Sequence, residues 1–296
     1  MITVIPDIHA DPRLLEASLS MAAGSMPAFL GDFIDAGATA SYKPDDAAVL
    51  SSVRRLVDAG EALAVMGNHE LNAILFHRKG SDGRWLRAHS DKNCKQHRSF
   101  IDALGIATPA ALEWTGWFLS ALPLWHEGEG FRLVHACWSE PDIALIRARR
   151  PDGRLRLEDL PEIADESTDF GRAVKLITSG REELLPEGRS FRDKNGHLRR
   201  HVRLSWWRQG HSWRDAALSV PDPEELPDSP LPASFTPAPR PADAPPVFVG
   251  HYKMDGVPRL EADHAVCLDY PHAPCLYRWR GEARLVGENL HVVPSQ

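Results

Sequence analysis

GDFIDAG, residues 31–37, follows the apolar residues Ala28, Phe29 and Leu30 and sets two carboxylates, Asp32 and Asp35, between two glycines where a strand stops. Alone, the stretch is equally well a solvated β-turn. It gains meaning from how the other strands end. ITVIPD, residues 2–7, is a short β-branched run that reads as a buried strand and leads into Asp7 and His9. ALAVMGNHE, residues 62–70, reads as a strand running into a turn with Asn68, His69 and Glu70. FRLVHACW, residues 131–138, carries His135 at its end, and PVFVGHY, residues 246–252, carries His251.

Helical spacing fills the gaps. Leu14, Leu15 and Leu19 mark a helix within residues 11–23. DDAAVLSSVRRLVDAG, residues 45–60, has Asp45 or Asp46 to cap it, a stripe of Val49, Val53, Leu56 and Val57, and Gly60 to end it. Strands alternating with helices predict an α/β fold with a largely parallel sheet covered on its faces. In open α/β sheets, sites form outside the carboxyl ends of the strands. Asp7, His9, Asp32, Asp35, Asn68, His69, His135 and His251 are therefore expected to converge despite their distance along the chain. The tail, HAVCLDY (264–270) and CLYRWRGEARLVG (275–287), reads as antiparallel strands closing a second sheet.

Between the fourth and fifth strands the chain changes character. Residues 141–185 have helical spacing. FRDKNGHLRRHVRLSWW, residues 191–207, sets Asn195-Gly196 between two strand-like runs, a hairpin signal. Residues 221–246 hold 10 of the 24 prolines and predict an extended surface crossing. The expectation is one domain over residues 1–296, with a cap inserted at about 140–245.

The totals exclude several classes. The chain has 296 residues, 43% hydrophobic and 25% charged, enough to bury a sizeable core. A formal net charge of -7 gives no support for a nucleic-acid scaffold or for an anionic-membrane binder. The start, MITVIPDIHADPRLL, lacks a basic segment followed by an apolar run, and no stretch is apolar enough for a membrane span. Cys94, Cys137, Cys267 and Cys275 show no CxxC spacing, so no disulfide framework is expected and a reducing cytoplasm is the default.

Imidazole and carboxylate ligands suit Mn²⁺, Fe and Zn²⁺. One carboxylate can bridge two such ions about 3.5–4 Å apart and set up an in-line displacement. Each fragment also has a plain reading: DIH as a strand-end turn, GNHE as a helix start, His135 and His251 as hydrogen-bonded core histidines. Five such fragments, in order and all at strand ends, are hard to reconcile with five separate coincidences.

D-x-H (7–9), G-D-x-x-D-x-G (31–37), G-N-H-E (67–70), the strand-end H-A (135–136) and the late G-H (250–251) resemble the calcineurin-like metallophosphoesterase family. The nearest branch is the phosphoprotein phosphatase and diadenosine tetraphosphatase type. The likeness covers residues 1–137 and 247–280. It implies a four-layer α/β/β/α sandwich with two divalent ions, Mn²⁺ first, with Fe, Zn²⁺ and Ni²⁺ as alternatives. By that resemblance, Asp7, His9 and Asp32 hold one ion, Asp32 bridges to the second, and Asn68, His135 and His251 complete it. His69 is the general acid for the leaving oxygen, held by Asp35, and Glu70 steadies the GNHE turn.

The family pattern also breaks. Ala36 stands where G-D-x-V-D-R-G has arginine, Met66 where R-G-N-H-E has arginine, and Ala10 where glycine is usual. The two arginines grip phosphate oxygens in a bidentate manner. Candidate replacements come from GRWLRAHSDKNCKQHR, residues 83–98, expected to be a helix with Arg84, Arg87, His89, Lys92 and His97 in reach. Others come from the hairpin, with Arg192, Lys194, Arg199, Arg200 and Arg203, and from Tyr252 and Lys253 beside His251. Lys253 sits where the G-H-x-H phosphodiesterases have a second histidine, which argues against that branch. Trp138, Trp206, Trp207 and Trp213 offer a stacking wall for a base, against the plainer reading of core packing.

The expected activity is hydrolysis of phosphate monoesters by attack of hydroxide held on the ion pair. Alternatives are a dinucleoside polyphosphate hydrolase or phosphodiesterase, and a catalytically inactive binding protein on the same fold. The expected partner is a phosphorylated small molecule, nucleotide or phosphoprotein.

Overall fold

The computed structural model describes residues 1–37, 40–193, 196–208, 212–232, 235 and 243–294. β1 (Ile2–Ile5) is buried on both faces, as a central strand of a covered sheet must be. Asp11 opens α1 (Pro12–Met21) by accepting from the N–H groups of Arg13 and Leu14 at 3.0 and 3.2 Å. After β2 (Met26–Phe29), Asp45 opens α2 (Asp46–Asp58) by accepting from Ala48 at 2.9 Å. The buried residues Val49, Leu50, Val53 and Leu56 form its inner stripe. β3 (Leu63–Ala64) leads to α3 (Asn68–Phe76), α4 (Asp91–Gln96), α5 (Arg98–Leu104) and α6 (Pro109–Ala121).

A hairpin follows, β4 (Trp125–Gly128) and β5 (Phe131–Val134), then α7 (Glu140–Arg149), α8 (Leu160–Ala164) and α9 (Asp169–Ser179). Short elements come next: β6 (Arg181–Leu184), β7 (Phe191–Arg192), β8 (Leu198–Arg199), β9 (His201–Leu204), α10 (Trp213–Ala216) and β10 (Ala217–Leu218). β11 (Val247–Val249), β12 (Ala265–Cys267), β13 (Cys275–Trp279) and β14 (Leu290–Val292) complete the chain.

One sheet has the order β14-β13-β1-β2-β3 and the other β12-β11-β5-β4. They stack face to face: Phe248 of β11 meets Tyr277 of β13 at 5.2 Å, and Phe131 of β5 meets Trp279 of β13 at 5.0 Å between ring centroids. Helices cover the outer faces, giving the expected four-layer α/β/β/α sandwich. β1, β2 and β3 are parallel to one another, and β11 is parallel to β5, so several strands end on the same side.

Four expectations need correction. The tail does not close one sheet with antiparallel strands. β12 runs parallel to β11, with Val247 opposite Ala265, whereas β13 runs antiparallel to β1 in the other sheet, with Ile2 opposite Trp279. An apolar run signals a strand but not its partner. The third strand is only two residues long, because Met66 turns away to donate its N–H to the Pro123 carbonyl at 2.8 Å. β4, which pairs antiparallel with β5, was not expected. Residues 83–98 are not one helix. Gly80 and Gly83 turn the chain, and α4 starts only at Asp91, after Ser90 caps it by accepting from Asn93 at 3.3 Å.

In the insertion, α7, α8 and α9 contribute Ile143, Ile146, Ile163 and Ile177 to the main core. A separate small core begins at Leu185 and includes Phe191, Val202, Leu204 and Trp213. It lies beside the three-stranded sheet β10-β9-β6. β7 and β8 pair as the expected hairpin, while Lys194 and Asn195 of its turn lie outside the described residues.

Candidate metal centre

Five loops carry the strand-end residues, and in three of them the backbone is held in costly conformations. Among the described residues, eight non-glycine positions have positive φ, and six lie here: His9, Ala10, Asp32, Asp35, His251 and Lys253. Such outliers persist only where surrounding structure holds them. Ala10, at φ 60°, occupies the left-handed backbone that glycine adopts without cost. Two glycines interlock the loops. A Cβ on Gly31 would stand 2.4 Å from the Gly67 nitrogen, and one on Gly67 would stand 2.2 Å from Asp32 Oδ1. Only Gly-Asp facing Gly-Asn lets the two turns approach so closely.

Glu70, fully buried, fastens this junction. Oε2 accepts from the N–H groups of Asp32 and Gly67 at 2.8 and 3.0 Å, and Oε1 from Phe33 at 2.8 Å. Burial and the Asp32 charge push its carboxyl up to about 7. Its two oxygens are thus committed to the backbone.

Two groups of potential ligands result. The donor atoms of His9, Asp32 and His69 lie within 4.8 Å of one another, as do those of Asp32, His135 and His251. Asp32 belongs to both. Asn68 Oδ1 joins the second group, 3.1 Å from His135 Nε2 and 2.7 Å from His251 Nδ1. Asp7 flanks the first, with Oδ2 3.9 Å from His9 Nε2, and its carboxylate accepts from the His251 N–H.

The donor set fits metal ions. His9 Nδ1 faces the Ile34 carbonyl at 3.2 Å, and His135 Nδ1 faces the Leu30 carbonyl at 2.7 Å. A carbonyl only accepts, so each Nδ1 carries hydrogen, and each ring in its neutral form turns an Nε2 lone pair inward. Backbone carbonyls commonly orient metal-binding imidazoles in this way. The His135 lone pair then meets Asn68 Oδ1 and Asp32 Oδ1, the latter 3.4 Å away, with acceptors on every side. Only a proton or a cation reconciles them. The Nε2 atoms of His9 and His251 are buried without a hydrogen-bond partner.

The electrostatics express the same demand. Burial would lower His135, but Asp32 outweighs it and holds the ring up to about 10. Burial would raise Asp32, but His135 and His69 hold its carboxyl well below the usual range. Burial and His69 push His9 down to about 3, and burial and Arg203 push His251 well down. Burial and Asp269 raise Asp7. Metal binding needs deprotonated ligands, so an ion entering here displaces protons.

His69 stands apart from these ligands in its partner. Its Nδ1 is 2.8 Å from Asp35 Oδ2. Burial would lower the ring, but Asp32 and Asp35 raise it to about 9. Burial would raise Asp35, but His97 and His69 hold it below its ordinary value.

The eight strand-end residues thus meet as expected. The substrate-side candidates divide. Arg87 is half-buried on the wall of a cavity of about 90 Å³ that Asn68, Asn72, Lys175 and Ser179 also line. Its guanidinium donates to Asn72 at 2.6 Å and to Asn93 and Gln96 at 3.1 Å, all neutral oxygens. Lys253 is exposed, and its charge is felt at His9 and His69. Arg84 is exposed beside Asp82, and Lys92 is exposed on α4. Arg199 is tied to Asp193 at 2.7 Å, and Arg192 donates to the Gly196 carbonyl at 3.1 Å. Tyr252 is fully buried and donates its hydroxyl to the Ala136 carbonyl at 3.2 Å, which commits it to packing.

Trp138, Trp207 and Trp213 are buried, in line with core packing, and Trp206 donates to the Ala136 carbonyl at 3.0 Å. Sequence reading did not assign Asp269, at the end of β12, whose carboxylate accepts from the Lys253 N–H at 2.7 Å. The strand-end rule applied to AVCLD would have found it. His97 was noted only as a cation within reach. Its contact with Asp35 has no signal in the spacing.

A model of the calcineurin-like phosphoesterase family matches residues 1–251. No curated protein matches the chain. Among solved structures, a metallophosphoesterase from Sphaerobacter thermophilus is 23% identical over 46% of this chain and 46% of its own length, with a TM-score of 0.29. A structure described as a diadenosine tetraphosphatase is 16% identical over 93% of this chain and 86% of its own, with a TM-score of 0.42. A protein serine/threonine phosphatase from Saccharomyces cerevisiae, with similarity to human phosphatase PP5, is 14% identical over 98% and 78%, with a TM-score of 0.46.

Proposed function

The chain belongs to the calcineurin-like phosphoesterase family, and from that premise we propose that this metal-dependent hydrolase cleaves phosphate monoesters with His69 as general acid. One observation carries the reading: Asp32 is shared by two ligand groups, and His69, beside them, is gripped by Asp35 at 2.8 Å. In this reading Asp7, His9 and Asp32 hold one ion, and Asp32, Asn68, His135 and His251 hold another, with Mn²⁺ the first candidate. When bound, such a pair acidifies water and neutralises charge developing on phosphorus.

The chain supplies the rest. Asp32 sets the spacing of the two groups. The protonated Nε2 of His69 faces the same space and gives its proton to the departing oxygen, while Asp35 fixes the ring and stabilises its charge. Arg87 is the candidate for an equatorial phosphate oxygen in place of the arginines missing at Ala36 and Met66. Its guanidinium makes no ion pair among the described residues, although the charges of Asp35 and Glu166 reach it, and the Lys253 charge is felt at His9 and His69. The insertion at about 140–245 is read as the cap, and within it Leu185, Phe191, Val202, Leu204 and Trp213 belong to a small core of their own. The four cysteines are free, which agrees with a cytoplasmic setting.

A second reading, cleavage of a dinucleoside polyphosphate, draws on the cavity that Arg87 and Lys175 line; Glu166 on the same wall pairs with Lys175 at 3.3 Å, so Arg87 is the cation this reading offers to a second phosphate. Mn²⁺-loaded protein assayed on p-nitrophenyl phosphate, bis-p-nitrophenyl phosphate and diadenosine tetraphosphate, with an EDTA control, separates the two. EDTA-sensitive monoester turnover is expected. Preference for the tetraphosphate would favour the second reading, and inactivity on all three at full metal content would favour a binding protein.

A further inference from the structure

Behind the His69–Asp35 pair the hydrogen bonds continue. Asp35 Oδ1, the oxygen His69 does not use, is 2.7 Å from His97 Nδ1. His97 Nε2 is 3.0 Å from His77 Nε2. His77 Nδ1 accepts from the backbone N–H of Ala107 at 2.9 Å. Asp35, His77 and His97 are all buried.

This chain has one self-consistent set of hydrogens. A backbone N–H only donates, so His77 Nδ1 is bare and its hydrogen sits on Nε2. Two N–H groups cannot face each other at 3.0 Å, so His97 Nε2 accepts. The His97 hydrogen is then on Nδ1 and points at Asp35. Burial and His97 push His77 down to about 4, which agrees with a neutral ring there. Asp35 receives an N–H on each oxygen and, as a carboxylate, has no hydrogen of its own to place.

The surroundings hold the arrangement. His97 stacks on Phe100 at 4.6 Å and meets the edge of Phe76 at 5.2 Å between centroids. Ala107, the terminal donor, is one of the two positive-φ non-glycine residues described outside the metal centre, at φ 50°. Its strained backbone aims the N–H at His77. The relay thus joins the ends of α3 and α4 and the loop after α5.

We infer that His97 and His77 are positioning residues: anchored by the Ala107 N–H, they lock Asp35 so that it holds His69 with its Nε2–H toward the leaving oxygen. The inference rests on the general-acid reading of His69. It predicts an effect that depends on the leaving group. A poor leaving group needs the proton; 2,4-dinitrophenolate departs as a stable anion without it.

The test compares kcat and KM for phenyl phosphate and 2,4-dinitrophenyl phosphate in Mn²⁺-loaded wild type, His69→Asn, His97→Leu, His97→Asn and His77→Leu. Metal content and Tm are measured for each. His97→Leu is expected to lower kcat on phenyl phosphate about 10–100-fold, the range for loss of an orienting partner. KM and dinitrophenyl phosphate turnover should stay near wild type. His97→Asn, whose amide N–H can still reach Asp35, should recover most of the loss. His77→Leu should show a smaller loss of the same kind, and it serves if His97→Leu fails to fold.

Equal losses on both substrates, or an Asn variant as poor as the Leu variant, would mean a merely structural His97 and overturn the relay. If His69→Asn is leaving-group selective and the His97 and His77 variants are not, the relay alone falls. If His69→Asn itself shows no selectivity, the general-acid reading falls and takes the relay with it.

Discussion

The metal centre and the hairpin of the insertion are both rich in charged side chains, and they treat them in opposite ways. In the hairpin, Arg199 is exposed and met by Asp193, and Arg192 is exposed and caps the Gly196 carbonyl. Those charges are solvated and answered within the chain. At the centre, Asp32, His135 and His251 are buried, their donor atoms face one another, and two imidazole nitrogens have no partner. Desolvated groups left unanswered cost free energy unless something outside the chain meets them. The difference separates a surface from a site more reliably than the number of charges does.

Substitutions should therefore divide steeply between the two regions. Asp32→Asn breaks both ligand groups at once. It should lose at least one ion by elemental analysis and drop turnover to that of EDTA-treated protein, beyond the ~10²–10⁴ that a general acid contributes. His69→Asn should keep the metal content and cut turnover of a poor leaving group by about 10²–10⁴. Normal turnover would remove His69 from the chemistry.

The pH profile has a definite sign. His69 is raised to about 9, and on the general-acid proposal its protonated form is the active one, so activity should be lost as pH rises through that value. Bound cations repel the imidazolium, so the alkaline limb of kcat should fall at or below about 9. A limb that persists unchanged in His69→Asn would belong to another group.

Smaller effects sharpen the boundary. Arg87→Ala should raise KM for the monoester about 10–100-fold, the equivalent of one hydrogen bond to a charged group. Arg199→Ala, at an exposed ion pair, should shift stability by no more than about 1 kcal/mol and leave KM unchanged. If the two variants behaved alike, Arg87 would be another surface charge.

What was legible in the sequence follows the same division. Strand-end candidate ligands are readable because short apolar runs and their polar exits are local features. Asp7, His9, Asp32, Asn68, His135 and His251 were found that way and do meet. Partnership between strands is not local. Cys275–Trp279 reads as a strand by its own composition, but its place beside β1 depends on a pairing across the whole chain. The two-residue length of β3 depends likewise on the Pro123 carbonyl. His97 and Asp35 are 62 residues apart and are joined by the packing of α3, α4 and α5, which no motif announces. Arg87 could be suspected from its charge, but its neutral amide clamp is visible only in three dimensions.

The central claim is that Asp32 is shared by two ions. Anomalous diffraction at the manganese edge, from crystals of Mn²⁺-loaded protein, tests it most directly. The account predicts two peaks per chain, both within bonding distance of the Asp32 carboxylate, one on the His9 side and one against His135 and His251. A single peak, or two peaks of which one does not touch Asp32, would contradict it.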